Sequence, residues 1–457
     1  MKLKKLTIAN FRGFEQIDLE FSDDVTVIAG VNGVGKSGVL RALTSALSVA
    51  LPKFTVSNES PLGLSDSDVQ LGKPGLSVSV MFGLDAAKVN VDLTRSAPLA
   101  ADKVESLLKR RDDLRFATRE TKKGSKEALD INDEIRLIEI QLDQASDIAA
   151  VRILPDDAAT DGDELAASLK EGSSQPFAVF YTTSRLLSRL PPVLPRTKRI
   201  DAAAAYDKSL NQLEVSLNDF ANWYRVVESE ATVTKDRLFQ QLEQAIQTFL
   251  PEVCGLALHD GRPPQFSVTK GGQRLFLEQL SDGERGLLAI VFDLTRRLAI
   301  ANPSSDSPIS EGMAVVLIDE VELHLHPSWQ RRVLRLLQKT FTRCQFIVST
   351  HSPQVIGQVR PEKLLLLHHE ESGRVVTTSA SQSFGMDSGW ILQNIMGVTA
   401  RDYDTEQRLS AIYQGIDNGK LEEARSLAEK LRAEIGDFPD LQSAIALLDR
   451  FALLGPQ

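Results

Sequence analysis

The chain has 457 residues, with 52 lysines and arginines against 62 aspartates and glutamates, a formal net charge of −10. That balance excludes a surface that attracts polyanions all round, though not a local basic patch. At 42% hydrophobic and 25% charged residues the composition is that of a globular chain. It has material for about three domains, and disorder over most of its length is excluded. No stretch reaches the roughly 18 consecutive apolar residues of a membrane span. The opening MKLKKLTIANFRGF alternates lysines with apolar residues, unlike a signal peptide, so a soluble cytoplasmic protein with no membrane partner is expected. The two cysteines, Cys254 and Cys344, are far apart and each lies in an apolar-rich stretch. They are read as buried structural residues, since two cysteines build neither a disulfide framework nor a cysteine zinc site.

In chain order, Leu3–Ile8 and Ile17–Phe21 alternate apolar with polar residues as half-buried strands do, and Val25–Ala29 is a continuous apolar run ending at Gly30. A strand, a glycine turn and a helix over about Lys36 to Val49 are predicted there. Ser57–Gly75 is rich in serine, proline and glycine, and alternation returns in Leu76–Phe82 and Val89–Leu93, predicting antiparallel strands. From Ala101 to Ala150 the sequence is charge-rich, with Leu107, Leu114, Ile131, Ile135, Ile138 and Leu142 near helical spacing around a break at Lys122-Lys123-Gly124-Ser125. A helical hairpin is expected, its arms of about 20 residues reaching ~30 Å. Ordinary surface helices and a short coiled coil fit that pattern equally well.

Asp156–Ser174, acidic and rich in small residues, is expected to be a mobile loop. Phe177–Tyr181 reads as a buried strand closed by Thr182-Thr183-Ser184-Arg185. Leu186–Arg199 is proline-rich and basic, and Ala202–Leu250 is expected to be largely helical, with Trp223 and Tyr224 in its core. Leu364–Leu367 and Arg374–Thr377 predict two closing strands, and Arg401–Leu454 a helical tail. No internal repeat is present.

Gly30-Val31-Asn32-Gly33-Val34-Gly35-Lys36-Ser37 fits G-x-x-x-x-G-K-[ST] between an apolar run and a helix, the context that a phosphate-binding loop requires. Backbone N–H groups around Asn32, Gly33 and Gly35 can curl about phosphates, Lys36 neutralises their charge, and the Ser37 hydroxyl can ligate Mg2+. Val315-Val316-Leu317-Ile318-Asp319-Glu320 is a buried-strand pattern delivering two carboxylates at its C-terminal end. Asp319 is assigned to the Mg2+ shell and Glu320 to general-base activation of water. Leu280-Ser281-Asp282-Gly283-Glu284-Arg285 opens a long apolar helix, placing Ser281 and Gly283 at a helix N-terminus that can face an anion. His324-x-His326 lacks the partners of a metal site.

Taken together, these motifs resemble those of ABC-type ATPases, in which the signature is offered to the γ-phosphate of ATP held by an opposite protomer. Asp282 stands where the first signature glycine is usual. Val321–Pro327 resembles the D-loop and Phe346-Ile347-Val348-Ser349-Thr350-His351-Ser352 the switch segment, so the resemblance assigns His351 to the γ-phosphate. The long interval from Ser37 to Leu280 is similar to the split heads of SMC-like and RecF-like ATPases. Leu6–Phe14 is similar to their first strand and turn, where an arginine such as Arg12 approaches the nucleotide. The chain also resembles the ATPase subunits of Septu and retron-associated antiphage systems. Phe177–Arg185, Phe220–Arg225, Leu323–Pro327 and Ser383–Ser388 carry that resemblance, with the helical C-terminus.

A split α/β head is therefore expected. Residues 1–100 form its first part, 101–150 a short helical insertion, 151–400 the remainder and 401–457 a helical tail. The resemblance implies an ATP- and Mg2+-dependent, slow ATPase that forms homodimers or higher assemblies through ATP and regulates a separate HNH-type nuclease, with DNA or a phage-derived ligand as a further partner. The alternative is a RecF-like repair ATPase acting on DNA without an effector. For it, Arg185, Arg189, Arg196, Lys198 and Arg199 are candidate phosphate contacts, although a solvated loop explains them equally. Asp402-x-Asp404 has the spelling of a Toprim nuclease pair but no apolar strand before it, so a nuclease site is not expected.

Overall fold

In the computed structural model, residues 1–84, 87–96, 101–120, 131, 134, 135, 138, 148–157, 160–172, 174–194, 200–212, 214–229, 233–399 and 401–454 are described. They fall into two units, Met1–Phe384 and Gly385–Gln457. The first strands follow the alternation of the sequence. β1 (Lys2–Phe11) buries Leu3, Leu6, Ile8 and Phe11 and pairs antiparallel with β2 (Phe14–Glu20). With β4 (Gly75–Leu84), β5 (Ala87–Ser96) and β6 (Ile148–Pro155) they make an antiparallel sheet, ordered β2-β1-β4-β5-β6 among the described residues. Successive side chains point to opposite faces, so Leu76, Val78, Val80 and Phe82 all reach one buried face.

The second sheet positions the site. β3 (Val25–Ala29), β7 (Phe177–Tyr181), β11 (Ala314–Ile318), β12 (Gln345–Thr350) and β13 (Leu364–His369) run parallel, and β14 (Val375–Ser379) closes one edge antiparallel. The order is β14-β13-β3-β12-β11-β7. β3, β11 and β12 are buried at every residue, which is why β3 and β11 are mostly apolar and do not alternate, and why the polar Gln345 and Ser349 of β12 are hydrogen-bonded inside the protein. Gln345, fully buried at the start of β12, fastens the two sheets by accepting from the Leu3 N–H at 2.7 Å and donating to the carbonyls of Leu3 and Ser22 at 2.8 Å. Helix α1 (Lys36–Phe54) follows β3 and buries most of its length.

A third sheet, ordered β10-β9-β8, comprises β8 (Val253–His259), β9 (Gln265–Lys270) and β10 (Gln273–Phe276). The helix Leu217–Ser229 buries Phe220, Trp223 and Tyr224, and Phe220 stacks on Phe292 with ring centroids 4.3 Å apart. The aromatic pair is core, as the sequence indicates. Phe292 belongs to the helix Asp282–Ala301, whose Asp293 is fully buried between Arg296, Arg297 and the Tyr181 hydroxyl.

Two expectations change. The span Asp156–Ser174 contains the helix Gly162–Glu171: Asp161 caps it by accepting from the N–H groups of Asp163 and Glu164, so the acids taken for loop residues are a cap and a first turn. Cys344 is buried, but Cys254 is only partly so. In the 101–150 span the first arm is the helix Ala101–Glu120, and Arg110 reaches Glu134 of the second stretch at 3.0 Å. The 122–125 break and Leu142 lie outside the described residues, and from Ile148 the chain is already β6.

The second unit is helical, with Ser388–Asn394, Tyr403–Asp417, Leu421–Ile435 and Pro439–Leu454. Its own core gathers Ile412, Ile416, Ala424, Ala428, Leu431, Leu441, Ala444 and Leu448. No helix among the described residues is long and apolar enough to cross a membrane.

Candidate functional site

The loop Gly30–Ser37 leaves the C-terminal end of β3, where parallel strands converge with helix N-termini and phosphate is favoured. Gly35 caps α1 with φ +105°, and a Cβ there would lie 2.6 Å from the Phe14 ring, so β2 packs where only glycine fits. Lys36, 7% exposed, turns its ammonium onto the carbonyls of Gly30 at 2.8 Å and Val31 at 2.9 Å. Burial lowers its pKa from the usual lysine range, while the charges of Glu322, Glu320 and Asp319 act in the opposite sense. Asn32, Gly33 and Ser37 are exposed at the loop surface.

Asp319 and Glu320 follow β11, one strand removed from β3 across β12. The Asp319 carboxylate accepts from the Ser349 hydroxyl at 2.5 Å, and the same hydroxyl accepts from the Glu320 N–H at 2.8 Å. Glu320 has φ +47°, a left-handed conformation that costs a non-glycine residue roughly 1–3 kcal/mol unless its surroundings hold it. Arg185 supplies part of that hold, donating to the carbonyls of Asp319 and Glu320, each at 2.6 Å. The guanidinium is buried. Desolvation lowers its pKa to about 10 against the pull of Glu322, Asp319 and Glu320.

His351 follows β12 with its side chain 41% exposed. Its Nδ1 lies 4.0 Å from Glu320 Oε1 and 3.1 Å from Glu322 Oε1, and its backbone N–H donates to that Glu322 oxygen at 2.7 Å. The structure thus brings Lys36, Asp319, Glu320 and His351 to one end of the sheet, together with Arg185, Ser349 and Glu322. No motif marks those last three: Ser349 lies within Phe346–Ser352 and Glu322 within Val321–Pro327, but neither segment shows what these side chains touch.

Ser281 caps the helix Asp282–Ala301 through a reciprocal box: its hydroxyl accepts from the Glu284 N–H at 3.4 Å, while its own N–H donates back to Glu284 Oε2 at 3.0 Å and its hydroxyl lies 2.8 Å from the same oxygen. Lys270 of β9 holds the other Glu284 oxygen at 2.6 Å. Gly283 packs on the loop after Glu320, where a Cβ would stand 2.6 Å from the His324 carbonyl oxygen. Arg12, φ +51°, lies beside the first turn of α1 near Gly38 and is committed to Asp68, its Nε donating at 2.7 Å. Burial would raise the Asp68 pKa, yet Ser65 and Arg12 hold it below the usual value.

Other expectations resolve by geometry. Arg185 is engaged by backbone carbonyls, which removes it from the exposed phosphate contacts, whereas Arg189 is exposed. Arg196, Lys198 and Arg199 lie outside the described residues. Asp402 caps the helix Tyr403–Asp417 by accepting from the Thr405 N–H, and Asp404 pairs with Arg408 at 2.8 Å, so that pair is spent on a helix N-terminus. Among the described residues no group of three or more histidine, cysteine or acidic side chains is arranged to hold a metal, His324 and His326 included.

Residues 25–357 match the family model described as AAA domain, putative AbiEii toxin, Type IV TA system. Among curated proteins, the Retron Ec83 probable ATPase of Escherichia coli is 26% identical over 98% of this chain and 86% of its own length. The Retron Vc95 probable ATPase of Vibrio cholerae is 22% identical over 85% of this chain and 77% of its own. The Septu protein PtuA of Bacillus thuringiensis is 24% identical over 42% of this chain and 50% of its own. With the glycine loop and the paired carboxylates on one parallel sheet and a long insertion between them, the chain is an ABC-type P-loop ATPase with a split, SMC/RecF-like head, and it belongs to the AAA domain, putative AbiEii toxin family.

Proposed function

We propose that this ATPase binds ATP with Mg2+ on Gly30–Ser37, hydrolyses it slowly, assembles head to head around the nucleotide, and thereby regulates a separately encoded HNH-type nuclease in antiphage defence. The observation that carries the nucleotide part is Lys36. It is buried, rests on the carbonyls of its own loop, and stands within electrostatic reach of Asp319, Glu320 and Glu322. An ammonium in that position is available to exchange two neutral acceptors for charged phosphate oxygens. The exposed Ser37 hydroxyl and the Asp319 carboxylate are a donor pair of the kind Mg2+ takes when phosphates complete its shell, and the ion would neutralise phosphate charge there. Glu320, held in place by Ser349 and Arg185, has its side chain 30% exposed and free to take a proton from an attacking water.

The defence setting is supported by the names of the retron and Septu relatives, and the switch role by the Asp402–Asp404 pair serving as a helix cap. Opposed signature motifs, Ser281 and Gly283 of one copy facing nucleotide on another, would explain an exposed Ser281 cap beside the loop of His324. The test is nucleotide binding and turnover by purified variants. Lys36→Ala should lose ATP binding, whereas Glu320→Gln should keep it while turnover falls by about 100-fold or more. Wild-type turnover by Glu320→Gln would remove Glu320 from the base role. Native mass spectrometry of the chain co-expressed with its genomic neighbours tests the partner: a stoichiometric complex with a small nuclease supports the switch, and an ATP-dependent homodimer alone favours a stand-alone repair ATPase.

A further inference from the structure

Glu322 has no part in the scheme above, yet it is the most enclosed acid at the phosphate end of the sheet, 5% exposed. One of its oxygens accepts the His351 N–H at 2.7 Å and lies 3.1 Å from His351 Nδ1, close enough for an ion pair but without the alignment of a hydrogen bond. The other oxygen is buried and has no hydrogen-bond partner. A buried carboxylate with an open acceptor is unfavourable, and such a group persists where a donor reaches it in another state of the protein. Lys36 and Arg185 both register Glu322 as the largest favourable charge near them, ahead of Asp319 and Glu320. The acid therefore touches the histidine and lies within electrostatic reach of the loop lysine and of the arginine under the Asp319–Glu320 turn.

We infer that Glu322 is the positioning residue of His351: it anchors the histidine backbone and orients the ring through Nδ1, so that Nε2 is presented to the nucleotide. His351 Nδ1, itself without a hydrogen-bond partner and 3.1 Å from Glu322 Oε1, is the donor that a turn of the ring would bring into line with this carboxylate. In that arrangement a single carboxylate fixes both the main chain and the tautomer of the switch histidine. Glu320, 4.0 Å from the same Nδ1, remains free for water. The inference rests on the ATPase reading and goes beyond it, because neither motif order nor the acid pair calls for a third carboxylate.

The experiment is a double-mutant cycle on the full chain, with ATP turnover and binding of a fluorescent ATP analogue measured for wild type, Glu322→Gln, His351→Ala and the double variant. Glu322→Gln keeps the shape and an acceptor for the His351 N–H. It should lower kcat by roughly 10-fold or more while analogue affinity stays within about 3-fold and Tm is unchanged. In the His351→Ala background the same change should have no further effect. Glu322→Asp, which keeps the charge but withdraws it by one methylene, should fall between. Additive losses, or an affinity loss that parallels kcat, would show that Glu322 acts on Lys36 or on folding and would overturn the assignment. A wild-type protein that binds the analogue but does not hydrolyse ATP would instead sink the ATPase reading, and the inference with it.

Discussion

At the scale of single residues, this site is built by close approach as much as by charge. Gly283 is the glycine that the signature keeps beside Asp282, and its importance lies in packing, since a methyl group there would meet the His324 carbonyl at 2.6 Å. Gly286, three residues on in the same helix, has nothing within 4 Å of such a methyl. Gly283→Ala should therefore destabilise the protein by roughly 1–3 kcal/mol by overpacking and disturb the loop before Pro327. Gly286→Ala should be neutral or stabilising by up to about 1 kcal/mol through helix propensity. Thermal melts and turnover of the two variants check the contrast; equal behaviour would mean that the Gly283 contact is unimportant. The spelling of the signature displays the glycine, but the reason for it is a neighbouring loop remote in sequence.

At the scale of elements, the helix Asp282–Ala301 joins the signature to the parallel sheet through a buried charge cluster. Asp293 accepts from Arg297 at 2.7 Å, Arg296 at 2.9 Å and the Tyr181 hydroxyl at 3.1 Å, and Arg297 also donates to the Ala205 carbonyl at 2.6 Å. Removing the carboxylate leaves two guanidinium groups buried without their counter-charge, so Asp293→Ala should cost roughly 3–5 kcal/mol, read as a lower urea midpoint at unchanged slope. Burial alone would raise the Asp293 pKa, but the two arginines hold it at about 2 against an ordinary 3.8. A carboxylate depressed on folding contributes stability above its unfolded value and loses it as pH falls through the folded one. Wild type should therefore lose that contribution between about pH 4 and pH 2, and Asp293→Ala should show a shallower acid limb. Identical limbs would refute the linkage. The cluster was hidden in the sequence because the helix shows there only as a long apolar pattern, which says nothing of what Asp293, Arg296 and Arg297 pair with.

At the scale of the whole molecule, the glycine loop, signature, acid pair and His351 all belong to one unit, Met1–Phe384, and the helical unit Gly385–Gln457 carries a separate core. If two heads close on ATP, the Glu320→Gln protein should grow from its nucleotide-free mass to a dimer or larger on adding ATP and Mg2+, measured by light scattering after size exclusion. Ser281→Arg in that background should abolish the growth while leaving binding of a fluorescent ATP analogue within about 3-fold, because the substitution changes the exposed cap and not the loop that holds Lys36. A Glu320→Gln protein of unchanged mass with ATP would eliminate head-to-head assembly.

The sequence by itself determined the parallel strands, because a strand covered on both faces must be apolar throughout, and β3, β7 and β11 coincide with their apolar runs. It also determined the glycine loop, the acid pair and the helical tail, whose signals are local in the chain. Only the tertiary structure decided what Arg185, Ser349, Glu322 and Asp68 do, since each acts on a partner from 29 to 135 positions away. The three-stranded sheet of β8, β9 and β10 and the helix Gly162–Glu171 also became visible only in the fold. A single side chain carries no mark of a partner that sequence separates from it; burial and geometry supply that information, and they exist only once the chain has folded.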